Sequence, residues 1–265
     1  MSVVVVSYNV RDLLRACLAS WYRQPLTHTA DVWVVDNASA DGSADMVAQE
    51  FPQVHLIANA DNRGFAAANN QAIRASRGRY VLFLNPDTEI LSGSVDRVVD
   101  YMDGHPDVGV TGCRLVYADG SFQHSCFRFP GLVQTALDLW PVPRLMDSRL
   151  NGRYPRSSYA EEFDIDHPLG ACFTLRRSAG LMFDEDFFLY VEEIDLCWRL
   201  HVAGWKLRYL PELTVLHHAG RSTSQTPSRS RTLLWQNRRL FNRKHHGPIY
   251  RAGWETVVRL GGVQI

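Results

Sequence analysis

The strongest constraint on the fold is a repeated change of hydrophobic period in the first 112 residues, where short apolar runs alternate with stretches of helical spacing. Val3 to Val6 is an unbroken apolar run, the pattern of a parallel strand covered on both faces. Leu13, Leu14, Cys17, Leu18 and Trp21 then recur at helical spacing. The same alternation predicts strands over Val32–Val35, Val54–Ile57, Tyr80–Leu84 and Val108–Thr111. It predicts helices over Asp45–Glu50, Gly64–Ser76 and Ser94–Met102, with Gly78 ending the second. Strand-helix repetition of this kind predicts an α/β fold with a mostly parallel, doubly wound sheet and right-handed crossovers.

The second half is less regular. Tyr117 to Phe122 reads as a hairpin with an Asp119-Gly120 turn. Residues 128 to 165 read as loop with a short helix near Val133–Leu139. Glu192–Ala203 reads as a helix closed by Gly204, and Leu207–Leu210 and Leu213–Leu216 as two short strands. Residues 222 to 231, rich in Ser, Thr and Arg, read as a mobile loop, and helices are expected from Thr232 onward.

The 265 residues suffice for one large α/β domain. A formal net charge of zero gives no general attraction for nucleic acid or for an acidic partner. Cys17, Cys113, Cys126, Cys172 and Cys197 are odd in number and lack CxxC spacing; they read as reduced core residues of a cytoplasmic protein. Met1-Ser2 leads straight into the first strand without a basic leader, and no apolar run approaches the ~20 residues of a membrane span.

Ligands of open α/β sheets bind beyond the carboxyl ends of the strands. Here those ends are Ser7-Tyr8-Asn9, Asp36-Asn37-Ala38-Ser39, Asn59 to Phe65, and Asn85-Pro86-Asp87. Polar residues also make ordinary turns, and Asp41 or Ser43 would cap the next helix. That accounts poorly for four clusters at the same end of four strands. No GxGxxG follows the first strand and no GxxxxGK[ST] occurs, so side chains more than a glycine cradle must hold any nucleotide.

Seven segments in order carry a family resemblance: Val6 to Asn9, Val35 to Ser39, Asn62 to Ala66, Leu84 to Asp87, Gly170 to Cys172, Phe187 to Leu196, and His217 to Ser222. The chain resembles the inverting family 2 glycosyltransferases of GT-A fold over nearly its whole length. Within them it is most similar to bacterial rhamnosyltransferases that use dTDP-L-rhamnose to build surface polysaccharides. The resemblance implies a GT-A domain over residues 1–225, with a nucleotide-binding half (1–112) and an acceptor and catalytic half (113–225), followed by a helical tail over 226–265.

It also implies roles. Ser7, Tyr8, Asn9, Asp36, Asn37 and Asn85 would line the nucleotide site, and Arg63 would lie near the base or diphosphate. Asp87, the last position of the family's DXD motif, and His217 would bind Mg²⁺ or Mn²⁺. Gly170, Ala171, Cys172 and Glu192 would face the acceptor, and Glu193 would be the base. Arg221 and the loop beyond it would close over the diphosphate. The partners would be a nucleotide-diphosphate sugar and a glycan or lipid-linked acceptor.

Inverting transfer needs one base for the acceptor hydroxyl and an electrophile for the leaving diphosphate. Asn85 replaces the first acid of a full Asp-X-Asp, which removes one negative charge from the metal site. Glu193 follows an apolar run, Phe187 to Val191, so it emerges partly desolvated and its pKa should rise toward a base's range. Asp195 and Arg199 are spaced i,i+4 and read as a structural pair. Adjacent strand residues face opposite sides, so only one of His217 and His218 reaches the crevice.

Eight Arg and Lys residues lie between residues 229 and 259 against the single acid Glu255, interleaved with Trp235, Phe241, Tyr250 and Trp254. Two readings stand side by side: peripheral contact with the inner face of a membrane, or a packed C-terminal helix with a charged outer face. Nucleic acid is a poorer third. Two further readings of the whole chain are the same chemistry with a UDP-sugar, and a nucleotide-sugar-binding module without catalysis.

Overall fold

A computed structural model describes residues 1–219 and 227–263. The strands are β1 (Ser2–Ser7), β2 (Asp31–Asp36), β3 (His55–Ala58), β4 (Tyr80–Leu84), β5 (Thr88–Gly93), β6 (Val108–Val116), β7 (Phe122–Gln123), β8 (Cys126–Phe127), β9 (Phe163–Asp164), β10 (His167–Pro168), β11 (Cys172–Arg176) and β12 (Lys206–His217). The helices are α1 (Arg11–Tyr22), α2 (Ser43–Glu50), α3 (Phe65–Ala75), α4 (Val95–Gly104), α5 (Leu132–Leu139), α6 (Glu192–Val202), α7 (Pro227–His245) and α8 (Pro248–Leu260).

The main sheet runs β3-β2-β1-β4-β11-β6-β12-β5. The first four strands are mutually parallel, as the alternation predicts. β1 and β4 are buried along their whole length, which is why their interiors are apolar runs rather than alternating. One apolar layer packs α1 and α2 against Val3, Val5, Val32 and Val34; the other packs α3 and α6 against Val4, Val35, Phe83 and Phe173. All five cysteines are free and buried.

Along the main sheet order, two strands were not anticipated. β11 inserts antiparallel between β4 and β6, and β5 pairs antiparallel with β12. The stretch expected as two short strands is instead the single strand β12. Its register shifts between Tyr209 and Thr214, around Pro211, because proline lacks the N–H that a regular ladder needs. The Asp119-Gly120 hairpin is present: Gly120 has φ +79°, and Tyr117 N–H donates to the Ser121 carbonyl at 2.9 Å.

The helical C-terminal region begins at Pro227, before the Thr232 start read from the residues and within the tail that the resemblance implies over 226–265. α7 opens at Pro227, a residue suited to a first helical turn, so part of the anticipated loop over 222–231 is helix. The remainder, with Arg221, lies outside the described residues. α7 and α8 pack on the domain: Phe241 against Phe187 and Val191, and Trp235 and Trp254 against Leu132 and Leu139 of α5. Several basic side chains of the region form intramolecular pairs, Arg238 with Asp138, Arg239 with Glu255, and Lys244 with Asp184 and Asp186. Among the described residues no helix is long and apolar enough to cross a membrane.

Candidate active site

A cavity of about 650 Å³ opens beyond the carboxyl ends of β1, β2 and β4. Tyr8, Asn37, Asn85, Asp87, Gly170, Ala171, Glu192, Glu193 and His217 all line it. Among the described residues, four buried polar atoms at this end of the sheet have no hydrogen-bond partner: Ser7 Oγ, Asp36 Oδ1, Asn85 Oδ1 and Glu192 Oε2. Buried polar atoms are nearly always satisfied, so this concentration marks a surface built to bind something.

Sheet pairing brings Asp87 and His217 together. Asp87 ends the turn between β4 and β5, and its carbonyl accepts the His218 N–H at 2.9 Å. The β5–β12 register pairs His217 with Thr88. The His217 Nε2 thus lies 3.6 Å from Asp87 Oδ1, both side chains being almost fully enclosed. Burial holds the His217 pKa below its ordinary value, against the opposing pull of Asp87. Its Nδ1 lies 3.2 Å from Gln123 Oε1 and 3.1 Å from Gln123 Nε2. If Nδ1–H donates to Oε1, the Nε2 lone pair is left facing Asp87. His218 faces the other way and pairs with Glu89 at 3.0 Å. Gln123 was missed in the sequence. The signal was the Asp-Gly turn, which folds β7 back across β6 and so toward the end of β12.

Glu192 and Glu193 begin α6. Burial raises the Glu193 pKa to about 7, against backbone amides of the helix start that lower it. Burial, then the neighbouring Glu193 charge, raises the Glu192 pKa well above the usual carboxylate range. A Cβ placed on Gly170 would lie 3.6 Å from Glu193 Cδ, so the chain runs close beside that carboxyl. Asp195 is fully buried away from the cavity, held by Arg199 at 2.7 Å and His245 at 2.6 Å. The approach to α6 is strained: Tyr190 and Val191 have φ +72° and +73°, left-handed values costing a non-glycine residue about 1–3 kcal/mol each.

Gly64 interlocks the two halves. Its φ is +81°, and a Cβ there would stand 2.5 Å from the Phe188 carbonyl oxygen, which accepts the Phe65 N–H. Phe188, Leu189 and Tyr190 form an apolar wall of the cavity, and Ser230 and Leu233 of α7 complete it.

Other expected site residues lie behind the cavity or outside it. Ser7 and Asp36 are buried beneath it, and Asp36 Oδ2 accepts the Ser39 N–H at 2.9 Å. Asn9, at φ +54°, ties its loop to the next: its Oδ1 accepts the Ala40 N–H and its own N–H donates to Ser39 Oγ. Arg63 does not reach the cavity; it is half-exposed beside Asp61, while its neighbours Asn62 and Gly64 take the lining positions. Cys172 is likewise outside the lining. It starts β11, and its side chain joins the core with Cys113 and Leu84. Its thiol pKa is raised by the Cys113 contact and by burial. No group of three or more His, Cys, Asp or Glu side chains is poised for a metal ion among the described residues.

Comparison with known proteins gives a consistent picture. The chain is 29% identical to an N-acetylglucosaminyl-diphospho-decaprenol L-rhamnosyltransferase of Mycobacterium tuberculosis, over 98% of this chain and 89% of that protein. It is 28% identical to the rhamnosyltransferase WbbL of Escherichia coli K12, over 59% of this chain and 61% of that one. Among solved structures, S. aureus TarS 1–349 superposes with a TM-score of 0.61 at 16% identity, over 97% of this chain and 71% of that one. The mannosyltransferase PcManGT of Pyrobaculum calidifontis, solved with GDP-Man and Mn²⁺, superposes at 0.59 with 19% identity, over 96% and 67%. These likenesses bear out the GT-A fold expected from the motifs. The profile of Glycosyl transferase family 2 matches residues 2–179, and the chain is a member of that family of glycosyltransferases.

Proposed function

We propose that this glycosyltransferase moves L-rhamnose from dTDP-L-rhamnose to a hydroxyl of a glycan or lipid-linked acceptor, by a single displacement with inversion. The observation that carries the reading is one cavity lined by both Glu193 and the Asp87–His217 pair. Glu193, with a pKa near 7, accepts the acceptor hydroxyl's proton as the oxygen attacks the anomeric carbon. Gly170 and Ala171 leave room for that hydroxyl beside the carboxyl. Tyr8 and Asn37 border the space for the base and ribose.

The donor set Asp87 Oδ1, His217 Nε2 and Asn85 Oδ1, the last without a partner among the described residues, fits a divalent ion such as Mg²⁺ or Mn²⁺, with positions left for diphosphate oxygens. Such an ion would supply charge neutralisation for the departing diphosphate. Asp87 is the fixed carboxylate of that set, and Gln123 orients its imidazole.

Rhamnose as the sugar rests on the relatives named above. So does a lipid-linked acceptor, with which the basic surface of α7 and α8 at a membrane's inner face would be compatible. The test is turnover and calorimetric binding with dTDP-, UDP- and GDP-sugars in Mg²⁺ and Mn²⁺. Preference for dTDP-rhamnose is expected, and selective use of a UDP- or GDP-sugar would overturn the sugar assignment.

A further inference from the structure

Helix α7 presents an inward stripe of Asn237, Phe241 and His245, one helical repeat apart. Each member grips the segment that delivers Glu193. The buried Asn237 amide donates from Nδ2 to the Leu189 carbonyl at 2.8 Å and to the Tyr190 carbonyl at 3.2 Å. Phe241 packs, fully buried, on Phe187 and Val191. His245 holds Asp195, one turn into α6.

That segment needs an external hold. Tyr190 and Val191 are consecutive left-handed residues, one aromatic and one β-branched, with no glycine between them and α6. Released, both would relax toward extended or right-handed backbone. Rotation at Val191 acts directly on the first turn of α6, which carries Glu192 and Glu193. Two carbonyls of this irregular stretch meet a single side-chain amide, so Asn237 fixes the turn on both sides of the Leu189–Tyr190 bond.

We propose that Asn237 is a positioning residue for sugar transfer: its amide fixes the left-handed turn at Tyr190–Val191 and so aims the Glu193 carboxyl into the cavity. The inference rests on the reading of Glu193 as the base. Its near-isosteric test is Asn237→Asp, which replaces the donor with an acceptor facing two carbonyls. Asn237→Ala removes the donor without adding charge and is read instead if the Asp variant does not fold. Both are assayed beside Glu193→Gln, with kcat from donor turnover and affinity from calorimetry with dTDP and Mn²⁺.

Loss of aim predicts a kcat lower by about 10- to 100-fold per folded molecule, with donor KM and dTDP affinity within about twofold of wild type. Asn237→Gln, which keeps an amide donor, should recover part of the rate. Unchanged kcat in a folded Asn237 variant would overturn the inference, as would kcat and nucleotide affinity falling together. Full turnover by Glu193→Gln would instead sink the base reading itself. A dead Glu193→Gln beside fully active Asn237 variants would sink the positioning role alone.

Discussion

The parallel strands β3-β2-β1-β4 and the mixed strands β11-β6-β12-β5 build the same cavity by different means. In the first group all four strands run parallel, and each polar cluster reaches its place simply by following the end of its own strand. Much of what those clusters do is internal: Asn9 and Asn37 hold one loop to the next, and Asp36 folds its own. In the second group every key side chain depends on a distant partner. His217 reaches Asp87 through β5–β12 pairing, and Glu193 reaches the cavity through a strained turn clamped by α7. The first half therefore supplies a shaped floor, and the second half brings most of the reactive groups.

That contrast breaks most sharply at the reactive groups. Glu193→Gln is expected to lower kcat by about 10²–10⁴-fold with little change in nucleotide affinity. Asp87→Ala should lose comparable turnover and also the metal dependence of nucleotide binding. Near-normal turnover in either would remove that residue from its role.

The joint between the halves comes next. Gly64→Ala forces a Cβ against the Phe188 carbonyl at a backbone angle that favours glycine, and should cost about 1–3 kcal/mol in chemical denaturation. It should also lower kcat, since Phe188 lies on the way to Glu193; an unchanged denaturation midpoint would show the joint is slack.

A smaller effect concerns pH. The Glu193 pKa rises on folding from 4.5 to about 7, so the folded chain holds a proton that the unfolded chain has released. Its contribution to stability is therefore full below about pH 4.5 and declines as pH rises toward 7. Thermal melts across that window should flatten in Glu193→Gln. Activity runs the opposite way, rising with deprotonation through about pH 7. A wild-type melting profile with the same slope as the variant's would contradict the shift.

The smallest change is expected at Cys172. Cys172→Ala should cost about 1 kcal/mol as a core truncation and leave acceptor KM unchanged. A selective rise in acceptor KM would return Cys172 to the acceptor side.

The sequence was most legible where structure is local. The buried strands β1 and β4, the hairpin at Gly120 and the helix after Val191 could all be read from period and turn residues. β11 and β5 could not, because an antiparallel strand inserted between sequence-distant neighbours leaves no mark in its own composition. The break expected between Leu210 and Leu213 is absorbed by the sheet as an irregularity around Pro211. At the site, motif position placed Asp87, His217 and Glu193 on one cavity but could not show that Arg63 and Cys172 turn away from it. Gln123 and Asn237 escaped notice because what they touch is over forty residues distant.

The β5–β12 ladder also sets a schedule for the newborn chain. A domain made from its N-terminus can assemble β1 to β4 early, while Asp87 waits for β12 to be synthesised and zipped against β5 and β6. Until then the four-stranded floor exists without its imidazole, and the helix that aims Glu193, α7, follows later still. A chain interrupted before Cys172 would carry a recognisable half-sheet with an exposed edge at β4, open to association rather than to sugar transfer.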